Sequence, residues 1–278
     1  MKIIFICLAM LFLTASSFCQ SGAIKVVKTG KGKPVIFLPG FTTPGTVWNQ
    51  TIDNLKTERE SHIISYAGFN GVSPIDTPWY PRIKQALLQY IKEENLSQLI
   101  IVAHSMGGNL AIDIAAALPQ KVDKLILADA IPCMRDLMMP GVAASQIQYS
   151  SPYNKQQLQM ADEAFQQMAV MMATNMTMKS DKVDSLTNWI KQADRKTYVY
   201  GYTDLLKLDQ REMLKQVKAK TLILGASYPS AEVARQTFEK QYSNLGIKTI
   251  EIANDSKHFI MFDQPNWFYD KVNAFLAR

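Results

Sequence analysis

Short apolar-rich runs recur along the chain at Val35 to Leu38, His62 to Tyr66, Leu99 to Ala103, Leu125 to Ala128, Thr221 to Leu224 and Thr249 to Ile252. They are a few residues long, rich in Ile, Leu and Val, and flanked by Gly, Pro or polar turns, the pattern of strands buried on both faces. Helical spacing separates most of them. Pro81 opens a segment with Ile83, Leu87 and Ile91 on one face, and Leu110, Ile114 and Leu118 follow the Leu99 run. Val233, Phe238, Tyr242 and Leu245 form a further face before Gly246, and Pro265 opens a last helix carrying Phe268, Val272 and Phe275. Strands alternating with helices predict an α/β fold with a mostly parallel central sheet and helices on both faces.

The alternation stops between Met134 and Asp209, where no strand run occurs. Pro152 marks a helix start there, and Leu158, Ala161, Phe165, Met168 and Met172 recur at steps of three and four as one apolar stripe. Nine of the 14 methionines fall in this stretch. It reads as an inserted helical lid over residues 134–209, with a core built from 20–133 and 210–278. Most of these methionines are expected to pack between lid helices. Others can line an adaptable apolar pocket, because a thioether chain reshapes around its contacts.

Residues 1–19 have a different pattern: Lys2, the apolar run Ile3 to Leu13, then Thr14-Ala15-Ser16-Ser17-Phe18-Cys19. Basic start, short apolar centre and small residues spaced two apart make a secretory signal peptide, with cleavage expected between Cys19 and Gln20 and a periplasmic or secreted product. The run is shorter than the roughly 20 residues a membrane span needs, so no stable membrane anchor is expected. Acylation of Cys19 is the alternative, and the bulky Phe18 fits that processing badly. Cleavage removes Cys7 and Cys19 and leaves Cys133 alone, so no internal disulfide is expected. The balance of 30 Lys and Arg against 24 Asp and Glu is spread along the chain, without the dense basic run of a nucleic-acid-binding arm.

Chemistry concentrates after the Leu99 run, where Ala103-His104-Ser105-Met106-Gly107-Gly108 leads straight into a helical pattern. A serine between small residues at a strand-to-helix turn is the arrangement of a nucleophile elbow. A serine hydroxyl needs a base, and the chain has three histidines. His104 adjoins Ser105 and should point away, and His62 lies within a strand. That leaves His258, on a polar loop after the Thr249 run and therefore at the carboxyl edge of the sheet with Ser105. An oxyanion hole requires two N–H donors, expected from Met106, which follows the nucleophile, and from Phe41, which follows Gly40 in the turn after the first run. Three scattered histidines and a lone mature cysteine make no metal-site spacing, and no glycine-rich nucleotide fingerprint occurs, so neither metal nor cofactor is expected.

Together, Leu38-Pro39-Gly40-Phe41, Ala103-His104-Ser105-Met106-Gly107-Gly108 and His258-Phe259-Ile260-Met261-Phe262-Asp263-Gln264-Pro265 resemble, in their order, the motifs of α/β-hydrolase-fold enzymes with a helical lid. The resemblance covers about residues 24–278 and implies a cofactor-free serine hydrolase acting through an acyl-enzyme on small-molecule carboxylic esters, or on amides or thioesters, with a fairly apolar acyl group. A lactonase or carbon–carbon bond hydrolase would share every motif, and a non-catalytic binding protein could retain the fold. The chain departs from the family where Ala103 replaces a Gly of the elbow, where Pro39 replaces a common His, and where Gly225-Ala226-Ser227-Tyr228-Pro229 offers no acid. Asp129, at the end of the Leu125 run, is the leading candidate for the acid. Glu232 and Asp255 are alternatives, with water or a backbone carbonyl behind them.

Overall fold

A computed structural model describes residues 22–277. The expected signal peptide over residues 1–19 and its Cys19–Gln20 junction lie outside these residues. Seven strands form one sheet: β1 (Ile24–Thr29), β2 (Pro34–Leu38), β3 (Glu60–Tyr66), β4 (Leu99–His104), β5 (Val122–Ala128), β6 (Lys220–Ala226) and β7 (Lys248–Ala253), in the spatial order β1-β3-β2-β4-β5-β6-β7. Every pairing is parallel except that of β1 with β3. In chain order the helices are α1 (Asn49–Asp53), α2 (Trp79–Glu93), α3 (Met106–Ala117), α4 (Met134–Met138), α5 (Pro152–Gln159), α6 (Asp162–Met176), α7 (Ser180–Lys191), α8 (Arg195–Lys207), α9 (Ala231–Gln241), α10 (Ile260–Asp263) and α11 (Pro265–Ala277).

Successive residues of a strand face opposite sides of the sheet, so the apolar runs serve two cores. Ile36, Leu38, Ile101, Ala103, Leu125, Leu127 and Ile223 pack on one face against α2, α3 and α9. Val35, Phe37, Ile100, Val102, Ile126 and Leu224 pack on the other with Trp48 and with Phe268 and Val272 of α11. Helix α3 is buried from Met106 through Ala116, with Asn109 and Asp113 as the polar members of an otherwise apolar stretch.

Four features differ from what the apolar pattern predicts. Strand β1 went unpredicted because it is an edge strand with mostly exposed positions, and its lysines break the apolar run. Helix α2 begins two residues before Pro81, because Asp204 of α8 accepts the Tyr80 N–H at 3.0 Å and holds the first turn; a proline within that turn forfeits no intrahelical bond. The stripe from Leu158 to Met172 is split between α5 and α6. Arg195 donates to the Gln157 and Met160 carbonyls at 3.2 and 2.9 Å, satisfying the end of α5 where the chain turns extended. Its guanidinium also reaches Asp162 and lies 3.8 Å from the centre of the Phe165 ring. On α9, Val233 is 47% exposed and Ala234 takes the buried place.

Helices α4 to α8 all lie between β5 and β6 and form a helical cap over the carboxyl edge of the sheet. Its two ends meet. The Gln210 N–H donates to the Pro132 carbonyl at 3.0 Å, and Asn109 of α3 donates to both Ile131 O and Gln210 Oε1. No helix among the described residues is long and apolar enough to cross a membrane.

Candidate active site

Ser105 sits between β4 and α3 with φ 53° and ψ −127°, a conformation that costs a non-glycine residue steric energy and persists only where its surroundings enforce it. The enforcement is visible. The Ser105 N–H donates to the Ala128 carbonyl at 2.9 Å, and its own carbonyl accepts from Gly108 at 2.8 Å. Gly107 passes so close to β2 that a Cβ there would lie 2.4 Å from the Leu38 carbonyl oxygen. Gly40 is constrained likewise: its Cβ would stand 2.9 Å from His104 Nδ1 and 3.2 Å from Ser105 Cβ. The small residues of both motifs thus let the β2 turn and the elbow lie against each other. Met106 occupies the first position of α3, where an N–H has no intrahelical acceptor.

Asp129 follows β5 in a left-handed conformation, φ 45°. Its N–H is held by Leu224 O at 2.8 Å, and its Oδ1 accepts from the Ala226 N–H at 2.9 Å, so β6 fixes the carboxylate by two backbone contacts. Its Oδ2 lies 2.6 Å from His258 Nδ1. A carboxylate only accepts, so Nδ1 carries the proton, and in the neutral tautomer that this contact selects the lone pair is on Nε2. Burial alone would push the Asp129 carboxyl up, but the hydrogen bond and charge of His258 and the Ala226 N–H outweigh it and hold the group below the usual carboxylate range. Glu232 and Asp255, the other acids considered, are both exposed; Glu232 bonds Gln236 on its own helix at 2.6 Å.

Three residues that the sequence did not single out hold the His258 loop. His104 is fully buried, and its Nε2–H donates to the His258 carbonyl at 2.9 Å. Burial and the neighbouring His258 push its pKa down to about 3, so it stays neutral. Ser227, in the loop where the acid is usually sought, accepts the Ser256 N–H at 3.2 Å. Asp263 accepts from the Lys257 N–H at 2.8 Å and, through its other oxygen, from Thr177 Oγ1 and the Met178 N–H, which ties the loop to the end of α6. His62 is structural, buried with Nδ1 2.6 Å from the Tyr90 hydroxyl, and Cys133 is a buried free thiol whose pKa burial raises.

Ser105, Met106, Phe41, Asp129 and His258 all line one cavity of about 240 Å³ between core and cap. The cap closes it with Met172, Met176, Trp189, Tyr198, Tyr202 and Leu205. Met138, Met171 and Met178 are instead exposed. The arrangement provides a hydroxyl on a strained turn, an imidazole oriented by a carboxylate, and an apolar chamber above them, the parts needed for acyl transfer.

Residues 35–271 match the model of the alpha/beta hydrolase family. This chain belongs to that family. It is 22% identical to a pimeloyl-(acyl-carrier protein) methyl ester esterase of Aeromonas salmonicida, over 92% of this chain and 100% of that one. With the enzyme of the same name from Vibrio campbellii it shares 28% identity over 37% of its own length and 39% of the relative's, so that match spans less than half of the relative. Among solved alpha/beta hydrolases, a hydrolase from Pseudomonas aeruginosa superposes with a TM-score of 0.78 at 15% identity, covering 95% of this chain and 100% of that one. An esterase from Exiguobacterium antarcticum superposes with a TM-score of 0.74 at 19% identity, covering 92% and 96%.

Proposed function

We propose that this alpha/beta hydrolase cleaves carboxylic esters with a fairly apolar acyl group through a covalent acyl-enzyme on Ser105. The observation that carries the reading is the 2.6 Å contact of His258 Nδ1 with Asp129, made in the same cavity as the strained Ser105 turn. His258 Nε2 takes the Ser105 proton as Oγ attacks the ester carbonyl, and the charge developing on oxygen is met by the Phe41 and Met106 N–H groups. The intermediate collapses as His258 returns the proton to the departing alcohol. A water then repeats the sequence on the acyl-enzyme and releases the acid. Asp129 holds the imidazole in the required tautomer and stabilises its charged form.

A fluorophosphonate probe should label the folded protein at Ser105 alone, read by peptide mass. Ser105→Ala should lower ester turnover about a million-fold if the three residues act as a unit. A folded chain that takes no label and hydrolyses no ester would contradict the reading. The pattern of residues 1–19 further supports export with a mature start at Gln20. Intact mass of the secreted or periplasmic product is the check, and an acylated Cys19 would overturn that assignment.

A further inference from the structure

A buried phenol in the cavity, Tyr198, lacks a partner suited to it, and a half-buried one, Tyr202, lies beside it. Tyr198 and Tyr202 lie four residues apart on α8, hence on one face of the helix, and both line the chamber above Ser105. The Tyr198 hydroxyl has the Met172 sulfur at 3.3 Å as its acceptor, and the Tyr202 hydroxyl has the Met138 sulfur at 3.3 Å. A thioether is a weak acceptor, whereas a buried phenol ordinarily finds an oxygen or nitrogen. Tyr198 is only 8% exposed, which leaves it little water to turn to. Both rings also pack on the Phe41 ring, at centroid distances of 5.8 and 6.0 Å, which sets them beside the turn whose backbone faces the nucleophile.

The rest of the lining decides what kind of group the phenols await. Among the described residues that line the cavity there is no Lys, Arg or Glu, and the Asp129 carboxylate is already paired with His258. A carboxylate entering it would lose hydration with no cation in return, a cost far larger than that of a neutral carbonyl. Burial raises the pKa of both phenols, that of Tyr202 to about 12, so both are protonated donors at neutral pH.

Resting on the esterase reading above, we infer that the preferred substrate is an ester carrying a second, neutral acceptor oxygen a few bonds from the reacting carbonyl, bound by the Tyr198 and Tyr202 hydroxyls. The phenols exchange a sulfur contact for an oxygen one, so the pair discriminates by hydrogen bonding inside an otherwise apolar chamber. Discrimination is strongest where a site's own polar groups are left unpaired by the wrong substrate.

Three esters of similar size test this: ethyl pentanoate, its keto analogue ethyl levulinate, and monoethyl succinate, which places a carboxylate where levulinate has its ketone. With turnover followed by acid release, kcat/KM for levulinate should exceed that for pentanoate by about fivefold or more, the worth of one net hydrogen bond. Monoethyl succinate should be the poorest. In Tyr198→Phe and Tyr202→Phe the levulinate to pentanoate ratio should fall, and in the double variant it should approach one. Fluorophosphonate labelling of Ser105 in each variant reports that the site is assembled; if a variant fails to label, the ranking of the three esters by the native chain decides. Equal efficiency on the two neutral esters, preference for monoethyl succinate, or a keto preference that survives the double substitution would overturn the phenol assignment alone. No turnover of any ester, or turnover that Ser105→Ala leaves unchanged, would overturn the esterase reading and this inference with it.

Discussion

At the scale of single residues, the site depends on where Asp129 places its two oxygens. One is fixed by the Ala226 N–H and the other meets His258 Nδ1. Asp129→Asn keeps the shape but offers an amide that can hold the imidazole in the wrong tautomer, so turnover should fall about ten-thousandfold in a folded protein, measured by ester hydrolysis at neutral pH. His104 gives a second expectation. Its folded pKa is depressed to about 3, while an unfolded histidine titrates near 6.5. As pH drops below about 6.5 the unfolded chain binds a proton that the folded chain refuses, so stability falls with falling pH by up to about 1.4 kcal/mol per pH unit until the folded group itself titrates. His62, lowered chiefly by burial, adds a contribution of the same sign. His104→Gln keeps a donor for the His258 carbonyl but does not titrate, and should flatten the decline of the urea midpoint between pH 6 and pH 4.5. That Ser105 and His258 lie at one edge of the sheet was legible in the sequence, because their motifs are contiguous and each follows a strand run. The holding roles of His104, Ser227 and Asp263 were not, since each partner is distant in the chain and appears only when the loops converge.

At the scale of elements, strands buried on both faces were readable as apolar runs, and β1 was not, because an edge strand is half solvated and its register with β3 is set by pairing. The break between α5 and α6 is also a tertiary effect. The periodicity runs on through Met160 and Ala161, and the interruption comes from Arg195 on α8 reaching across to the open carbonyls. Arg195→Ala removes those hydrogen bonds, the Asp162 contact and the stacking on Phe165 together. The junction should then open more often, and limited proteolysis around residues 159–162 should accelerate roughly tenfold, with cleavage sites mapped by mass. An unchanged digestion rate would show that packing of α6 alone holds the junction.

At the scale of the whole molecule, the order of elements along the chain predicted a parallel sheet with a helical cap, and the sheet order β4-β5-β6 shows how Asp129, rather than a residue of the loop after β6, meets His258. Neighbouring strands β5 and β6 end side by side, so the end of β5 also lies within reach of His258. Asp129 stands there, five residues before the cap begins at Met134. The meeting of the cap's two ends, through Gln210, Pro132, Ile131 and Asn109, bears on how such a protein diversifies. Entry and exit of the insertion are clasped to each other and to α3, so the body beneath is closed whatever lies above it. New chambers can then arise by exchanging everything between these two points as one cassette, with Ser105, Asp129 and His258 inherited intact from the part that stays.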